Sequence, residues 1–224
     1  MDKIDSLAIV SGGMDSVTLL HYLVKREKKH PAVLSFIYGQ KHNKEIAYAS
    51  YQAKLLNCQQ HQIIDLSHLA PAFASSALVS REIAVPDIDT VQGDPQPLTY
   101  VPNRNMIFLA IAAAFAETLG VNEVCYGAQA HDLYGYWDTT PQFLEKINAL
   151  LSLNRKNSIN INAPLVNLSK SEVLRLGLEL EVDYSKTWSC YEGNELACGK
   201  CPTCAERLAA FQLVGVKDPI AYVG

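Results

Sequence analysis

The chain has no apolar run long enough to cross a bilayer. Its longest, Met106 to Ala116, falls far short of the ~20 residues a spanning helix needs and reads as a buried helix. Nor is there a surplus of positive charge: 19 Lys and Arg stand against 23 Asp and Glu, and the net charge of -4 argues against a protein that coats nucleic acid. No export leader is visible, because Met1 to Ser6 is charged and the apolar run after it is short. The expectation is a cytoplasmic protein, so its six cysteines favour metal ligation over disulfides. There is no internal repeat and no low-complexity tract. With 49% apolar residues, the 224-residue chain can build one sizeable domain, alone or with a small appendage.

What the chain does have begins near its start. The apolar run Leu7-Ala8-Ile9-Val10 leads into Ser11-Gly12-Gly13-Met14-Asp15-Ser16 and then into a helical pattern with Val17, Leu20, His21 and Val24 on one face. A buried strand running through a glycine turn into a helix N-terminus presents backbone N–H groups and a positive dipole end to an anion. Adjacent glycines admit φ > 0 and let a phosphate approach without meeting a Cβ. No Gly-Lys-Ser/Thr follows, so the turn lacks the lysine of the common nucleotide-triphosphate loop. Ser11 and Ser16 can donate hydroxyls to phosphate oxygens. Ionised Asp15 cannot, and either shapes the turn or holds Mg²⁺ against a leaving group.

Strands over Ala32–Tyr38 and His61–Leu66 alternate with a helix over Asn43–Leu56, a rhythm that predicts a doubly wound parallel sheet of Rossmann-like type. Ligands then bind at one sheet edge, beyond the strand ends. The rhythm breaks from Ala70 to Pro102, which carries five prolines and reads as either a lid or binding loop or a poorly ordered insertion. It resumes with a helix over Arg104–Leu119, a strand at Glu123–Tyr126, a helix from Pro141 to Leu153 and a strand near Ser158–Ile161. Ser169 and Glu172 form a capping-box pattern opening a helix that runs to Leu180.

Cys190, Cys198, Cys201 and Cys204 follow the spacing C-x7-C-x2-C-x2-C in a polar, Gly- and Pro-containing stretch. Two-residue spacing lets neighbouring thiolates turn onto one ion, and four of them fit tetrahedral zinc with no position open for water. An iron–sulfur cluster and a redox dithiol are the alternatives. Cys58 and Cys125 sit in apolar surroundings and read as core, with a nucleophilic role for Cys125 as the competing possibility. The division expected is a nucleotide-binding domain over residues 1–183 and a zinc-binding segment over 184–224 packed on the same domain.

The Ser-Gly-Gly-x-Asp-Ser turn resembles the pyrophosphate loop of the ATP pyrophosphatases, which transfer AMP and release pyrophosphate. Further segments narrow the resemblance: Tyr38-Gly39-Gln40-Lys41-His42, Val101-Pro102-Asn103-Arg104-Asn105, Asp132-x-x-Gly135-Tyr136-x-Asp138, Pro164-Leu165 before Leu168 to Glu172, and Thr187 to Tyr191 leading into the cysteines. In this order they are similar to the QueC family of 7-cyano-7-deazaguanine synthases over essentially the whole chain. The resemblance implies an ATP-dependent carbon–nitrogen ligase that activates 7-carboxy-7-deazaguanine, adds ammonia to give the amide, and dehydrates the amide to a nitrile that feeds queuosine or archaeosine. It also implies a homodimer, and ammonia that arrives free or from a partner.

By the same resemblance, Val10 to Ser16 with Val17 and Thr18 would bind ATP. Asp15, Arg104 and Lys170 would form the catalytic set, the two cations contacting phosphates or a carboxylate; solvated helix-end cations are the bland alternative. Gln40, His42, Asp132, Tyr136, Asp138 and Thr187 would face the substrate, the two aspartates meeting the N–H donors of a guanine-like edge or assisting a metal. Two departures stand out. The family commonly has Gly where Asn103 stands, and Pro-Asp-Cys-Arg where this chain has Trp137-Asp138-Thr139-Thr140. The absent arginine leaves open a paralogue that passes the activated acid to another amine, even a protein one. A tRNA thiolase of the same superfamily and a non-catalytic zinc-bearing nucleotide binder complete the alternatives.

Overall fold

A computed structural model describes residues 3–91, 93, 94, 96–130 and 136–223. Five parallel strands, β1 (Ser6–Ile9), β2 (Pro31–Ile37), β3 (His61–Asp65), β4 (Glu123–Cys125) and β5 (Asn160–Asn162), form one sheet in the order β3-β2-β1-β4-β5. Among the described residues six α-helices accompany them: α1 (Met14–His21), α2 (Lys44–Leu55), α3 (Arg104–Leu119), α4 (Pro141–Leu151), α5 (Lys170–Glu179) and α6 (Pro202–Val214). A π-helical turn, Tyr22–Arg26, continues α1. Among the described residues no helix is long and apolar enough to cross a membrane.

Alternation along the strands divides the core. Leu7, Leu34, Phe36 and Val124 point to one face, where they meet Phe108, Leu109 and Ala112 of α3 and Phe143 of α4. Ala8, Val10, Val33 and Cys125 point to the other and meet Val17 and Leu20 of α1, Ala49 and Ala53 of α2, Val173 and Leu174 of α5, and Phe211 of α6. Strands buried on both faces read as continuous apolar runs, which is why Leu7 to Val10 shows no period-two signal. β1 pairs with β2 on one side and β4 on the other. The chain therefore reverses its winding direction at the C-terminal end of β1, where a doubly wound sheet opens a crevice.

The parallel sheet and both-face helices are as expected, with strand ends displaced by a residue or two; the strand expected near Ser158–Ile161 runs Asn160–Asn162. The capping box at Ser169 and Glu172 is formed. Within the described residues of 70–102, short 3₁₀ turns (Ser67–Phe73 and Ile88–Thr90) alternate with irregular backbone, Phe73, Leu78, Val79 and Val101 are buried in the core shared with α3 and β2, and Leu78 also lines the cleft described below. α6 went unforeseen in the sequence, since its first turn lies inside the cysteine motif. Pro202 occupies its first position and Gly215, at φ +80, ends it.

Candidate active site

The turn after β1 is folded around one hydroxyl. Ser16 Oγ accepts hydrogen bonds from the backbone N–H of Ser11 (3.2 Å) and Gly12 (3.3 Å), donates to the Gly13 carbonyl (3.1 Å), and lies 3.0 Å from Ser11 Oγ. Ser16 thus shapes the loop, while Ser11 lies exposed at its mouth. No side chain caps α1, whose first-turn residues Met14, Asp15 and Ser16 line the cleft beside Gly13. Gly12 has φ +95, and a Cβ there would run into the carbonyl of Glu45 and the N–H of Ala49, so the first two turns of α2 pack directly on the loop. Gly127, after β4, similarly lies against the start of α1, where a Cβ would come within 3.1 Å of Ser16 N.

A cleft of about 270 Å³ opens from this loop across the strand ends. Lys170, at the start of α5, reaches into it and pairs with Asp15 at 2.6 Å. Burial alone would lower the lysine pKa; the charges of Asp15 and Glu206 outweigh it and hold the ammonium above its ordinary range. The other oxygen of Asp15, Oδ1, is buried with no hydrogen-bond partner among the described residues. On the far side Arg104 donates to the Tyr38 hydroxyl (3.3 Å), with its guanidinium 5.7 Å from the centre of that ring. Its pKa is raised by Tyr38, Tyr191 and Asp138 against the opposing effect of burial.

The floor between the two cations is aromatic. Phe36 and Phe108 stack at 4.1 Å with 7° between planes, and Tyr38 meets Phe108 edge-on at 5.6 Å. Tyr136 lines the same wall, stacked on Tyr100 and 2.8 Å from Thr99 Oγ1. Tyr126 also faces the cleft, its hydroxyl buried without a partner among the described residues.

Gln40 turns back on its own loop, accepting from Tyr38 N–H (2.7 Å) and reaching the carboxyl of Glu45 (3.5 Å). His42 bridges to the cysteine segment: its Nε2 lies 2.9 Å from the Cys190 carbonyl and its ring packs edge-on to Trp188. Burial lowers its pKa.

Of the residues singled out in the sequence, the cleft brings together Val10, Ser11, Gly13, Met14, Asp15, Ser16, Gln40, His42, Arg104, Tyr136 and Lys170. Gly12, Val17 and Thr18 stand behind the loop; Thr18 donates to the Met14 carbonyl and meets the Tyr184 hydroxyl at 2.7 Å. Asp138 is buried beneath the wall, where its carboxylate accepts from Asn105 N–H (3.4 Å) and burial raises its pKa against the pull of Arg104. Thr187 is fully buried away from the cleft, donating to the Tyr184 carbonyl and accepting from Arg207. Asp132 lies outside the described residues. Sequence reasoning missed Glu45 and Glu206, both cleft-lining. Their only sequence signal was position: one in the first turn of the helix after the Tyr38–His42 loop, the other two residues beyond Cys204.

Both departures from the family pattern have a local explanation. Asn103 sits at φ +54 before α3, a left-handed conformation that glycine takes freely and asparagine tolerates best among the rest. Thr140 stands at the position of the absent arginine and caps α4, accepting from Phe143 N–H at 3.1 Å.

The cysteine sulfurs of residues 190, 198, 201 and 204 all lie within 4.8 Å of one another. Cys201 is the N-cap of α6 and Cys204 lies in its first turn, so the two-residue spacing places both on one side. Cys190 Sγ accepts from Cys198 N–H and Cys198 Sγ from Cys201 N–H, each at 3.3 Å, an arrangement that favours thiolates. Hydrogen bonding among the sulfurs holds the Cys190 thiol far below its ordinary range and raises those of Cys201 and Cys204, so that ionising all four needs a cation between them. Four thiolates this close need a cation among them, and the donor set and spacing fit zinc. The same segment steadies the nucleotide loop, since Trp188 N–H donates to the Gly12 carbonyl at 3.0 Å. Cys125, by contrast, is fully buried in the core, and burial drives its thiol pKa up.

Comparison with known proteins agrees with this arrangement. The model of the family described as "Queuosine biosynthesis protein QueC" matches residues 5–215. A 7-cyano-7-deazaguanine synthase of Caldicellulosiruptor saccharolyticus is 43% identical over 97% of this chain and 95% of its own length. One from Thermoplasma volcanium is 41% identical over 97% and 90%. Among solved structures, the U34-tRNA thiolase NcsA of Methanococcus maripaludis shares the fold at TM-score 0.53 and 17% identity, covering 95% of this chain and 66% of that one. The NMN synthetase of Francisella tularensis does so at 0.53 and 16%, covering 96% and 79%. With a match that runs nearly from end to end, and with the glycine loop, the cleft and the four cysteines in place, the chain belongs to the QueC family.

Proposed function

We propose that the protein is an ATP-dependent synthase that adenylates 7-carboxy-7-deazaguanine, adds ammonia to the activated acid, and dehydrates the resulting amide to 7-cyano-7-deazaguanine, releasing AMP and pyrophosphate. The observation that carries this reading is a single cleft. It joins an uncapped helix N-terminus and Lys170 at one end to Arg104 over an aromatic floor at the other. A triphosphate fits the first end, where backbone N–H groups and an ammonium meet anionic oxygens. A flat heteroaromatic acid fits the second, where Arg104 faces its carboxylate and Tyr38, Phe108 and Tyr136 border its ring.

The chemistry follows from that placement. The acid's carboxylate oxygen attacks the α-phosphorus, and pyrophosphate leaves along the Ser11–Ser16 loop with its charge met by Lys170. Asp15, with one oxygen on Lys170 and the other without a partner among the described residues, would hold the Mg²⁺ that neutralises the triphosphate. The hydroxyl of Ser16 holds the loop in shape from within the cleft lining. Cys190, Cys198, Cys201 and Cys204 would hold zinc with all four positions filled, joining the Trp188 segment to α6. Residues 1–183 and 184–224 would then act as nucleotide-binding domain and brace.

The paralogue reading draws on one observation, Thr140 in the family's arginine position. In this fold Thr140 caps a helix and lies outside the cleft lining, and Arg104 supplies the cation, which favours the synthase. One experiment separates the two. Enzyme, ATP, Mg²⁺ and the acid are incubated with and without ammonia, and products are followed by mass spectrometry. A nitrile formed only with ammonia supports the synthase; an acid adduct on protein formed without ammonia replaces it with the paralogue.

A further inference from the structure

Among the described residues three carboxyl side chains line the cleft, those of Asp15, Glu45 and Glu206, and Glu45 is the one in contact with both the nucleotide loop and the loop after β2. Its backbone carbonyl packs against Gly12 of the nucleotide loop, and its side chain reaches 3.5 Å from Gln40 on the acceptor side. We propose that Glu45 is the proton acceptor of the reaction, a catalytic residue that takes a nitrogen-bound proton as the bond between carbon and the AMP oxygen breaks. The inference rests on the synthase reading above.

Two steps require such a group. When ammonia attacks the acyl adenylate, a carbon–nitrogen bond forms, the carbon–oxygen bond to AMP breaks, and the new ammonium nitrogen must lose a proton to leave a neutral amide. When the amide is adenylated on oxygen by a second ATP, its nitrogen carries two protons. The first leaves to give the neutral imidate. The second leaves to the base as the N–H pair becomes the last bond of the nitrile and AMP departs with the oxygen. Neither step consumes an oxidant or reductant, and both leave the proton on a carboxylate.

Other titratable groups around the cleft are engaged or on the wrong side of it. On the loop after β2, Lys41 donates to the Ile83 carbonyl at 2.7 Å and His42 contacts the Cys190 carbonyl. Tyr38 holds Arg104 of α3. Asp15 of α1 is tied to Lys170 of α5 at the phosphate end, and Glu206 of α6 acts on that lysine's charge. Arg104 is the cation that bears on Glu45, lowering its pKa together with Gln40; desolvation outweighs both and raises the carboxyl to about 7. A base with that pKa is part ionised at neutral pH and still strong enough to take the proton.

The test uses the amide as substrate, so that ammonia's own titration does not enter. The full chain and its Glu45→Gln variant are given the amide, ATP and Mg²⁺ from pH 5.5 to 9. Nitrile is measured by mass spectrometry beside amide-dependent exchange of labelled pyrophosphate into ATP. Exchange requires only adenylation, and it also reports that the variant is folded. Glu45→Gln is expected to lose ~100-fold or more of nitrile formation while exchange stays within about threefold, and its residual rate lacks the wild-type fall below pH ~7. Glu45→Asp is expected to keep that fall. A Gln variant with an unchanged rate and acid limb overturns the assignment, as does exchange that falls as far as nitrile formation. A wild type that makes no nitrile from the amide overturns the synthase reading and this inference together.

Discussion

Arg207 offers the sharpest test of how the C-terminal segment is held. It is fully buried and spends its guanidinium on three partners: Asp218 through Nε and Nη2 (2.7 and 2.9 Å), Thr187 through Nη1 (2.7 Å), and the Tyr184 carbonyl (3.0 Å). Replacing it by methionine keeps much of the volume. Asp218 then keeps only the Tyr222 hydroxyl (2.6 Å) and the Ile220 N–H (3.2 Å) for a carboxylate that is 7% exposed. Removing one partner of a buried ion pair costs about 3–5 kcal/mol, because the other charge stays behind. At ~2–4 °C per kcal/mol for a chain of this size, Arg207→Met should lower the melting temperature by about 6–20 °C. Replacing both partners, Arg207→Met with Asp218→Leu, removes the stranded charge and should recover most of that loss. Thermal unfolding followed by circular dichroism on zinc-loaded protein reads both variants. A drop below about 3 °C in the single variant, or a double variant no better than the single, would refute the argument.

Gly12→Ala should cost about 2–5 kcal/mol, from a left-handed φ of +95 and a methyl forced onto α2, with a parallel loss of pyrophosphate exchange; an unchanged melting curve speaks against that packing. Cys201→Ser should lower bound zinc below one per chain by atomic emission and weaken thermal stability, whereas full zinc content in the variant would place the ion elsewhere. His42, His21 and His61 have pKa values lowered from 6.5 by burial, so the folded state prefers them neutral. That contribution is complete above pH ~6.5 and is lost as pH falls through the lower folded-state values. Urea unfolding should therefore show falling stability below pH ~6.5, with a shallower slope in His42→Gln; equal slopes would assign the effect to other groups.

The parts of the site legible in the sequence are those made by neighbours in the chain. Strand, glycine turn and helix start are contiguous, so Ser11 to Ser16 announces an anion-binding loop by itself. Cys198, Cys201 and Cys204 lie within one turn and a helix start, so their spacing alone brings three sulfurs together. Glu45 was not legible. It is the single acid of α2, which at a helix start reads as an ordinary solvated charge, and its environment comes from Gly12, Gln40 and Arg104, three separate stretches of chain. Thr187 shows the opposite error: a residue inside a family-like segment that turns inward to Arg207 and never meets the cleft.

The sequence by itself determined the alternation of strand and helix, the glycine loop and the cysteine cluster, because each depends on local spacing and backbone geometry. Only the tertiary structure decided which side chains share the cleft. It turned Ser16 into the hydroxyl that folds the loop, brought Lys170 to Asp15 across 155 positions of sequence, and set Glu45 where burial raises its carboxyl. Charge and solvation are fixed by what surrounds a group in space, and a linear chain carries no direct record of that.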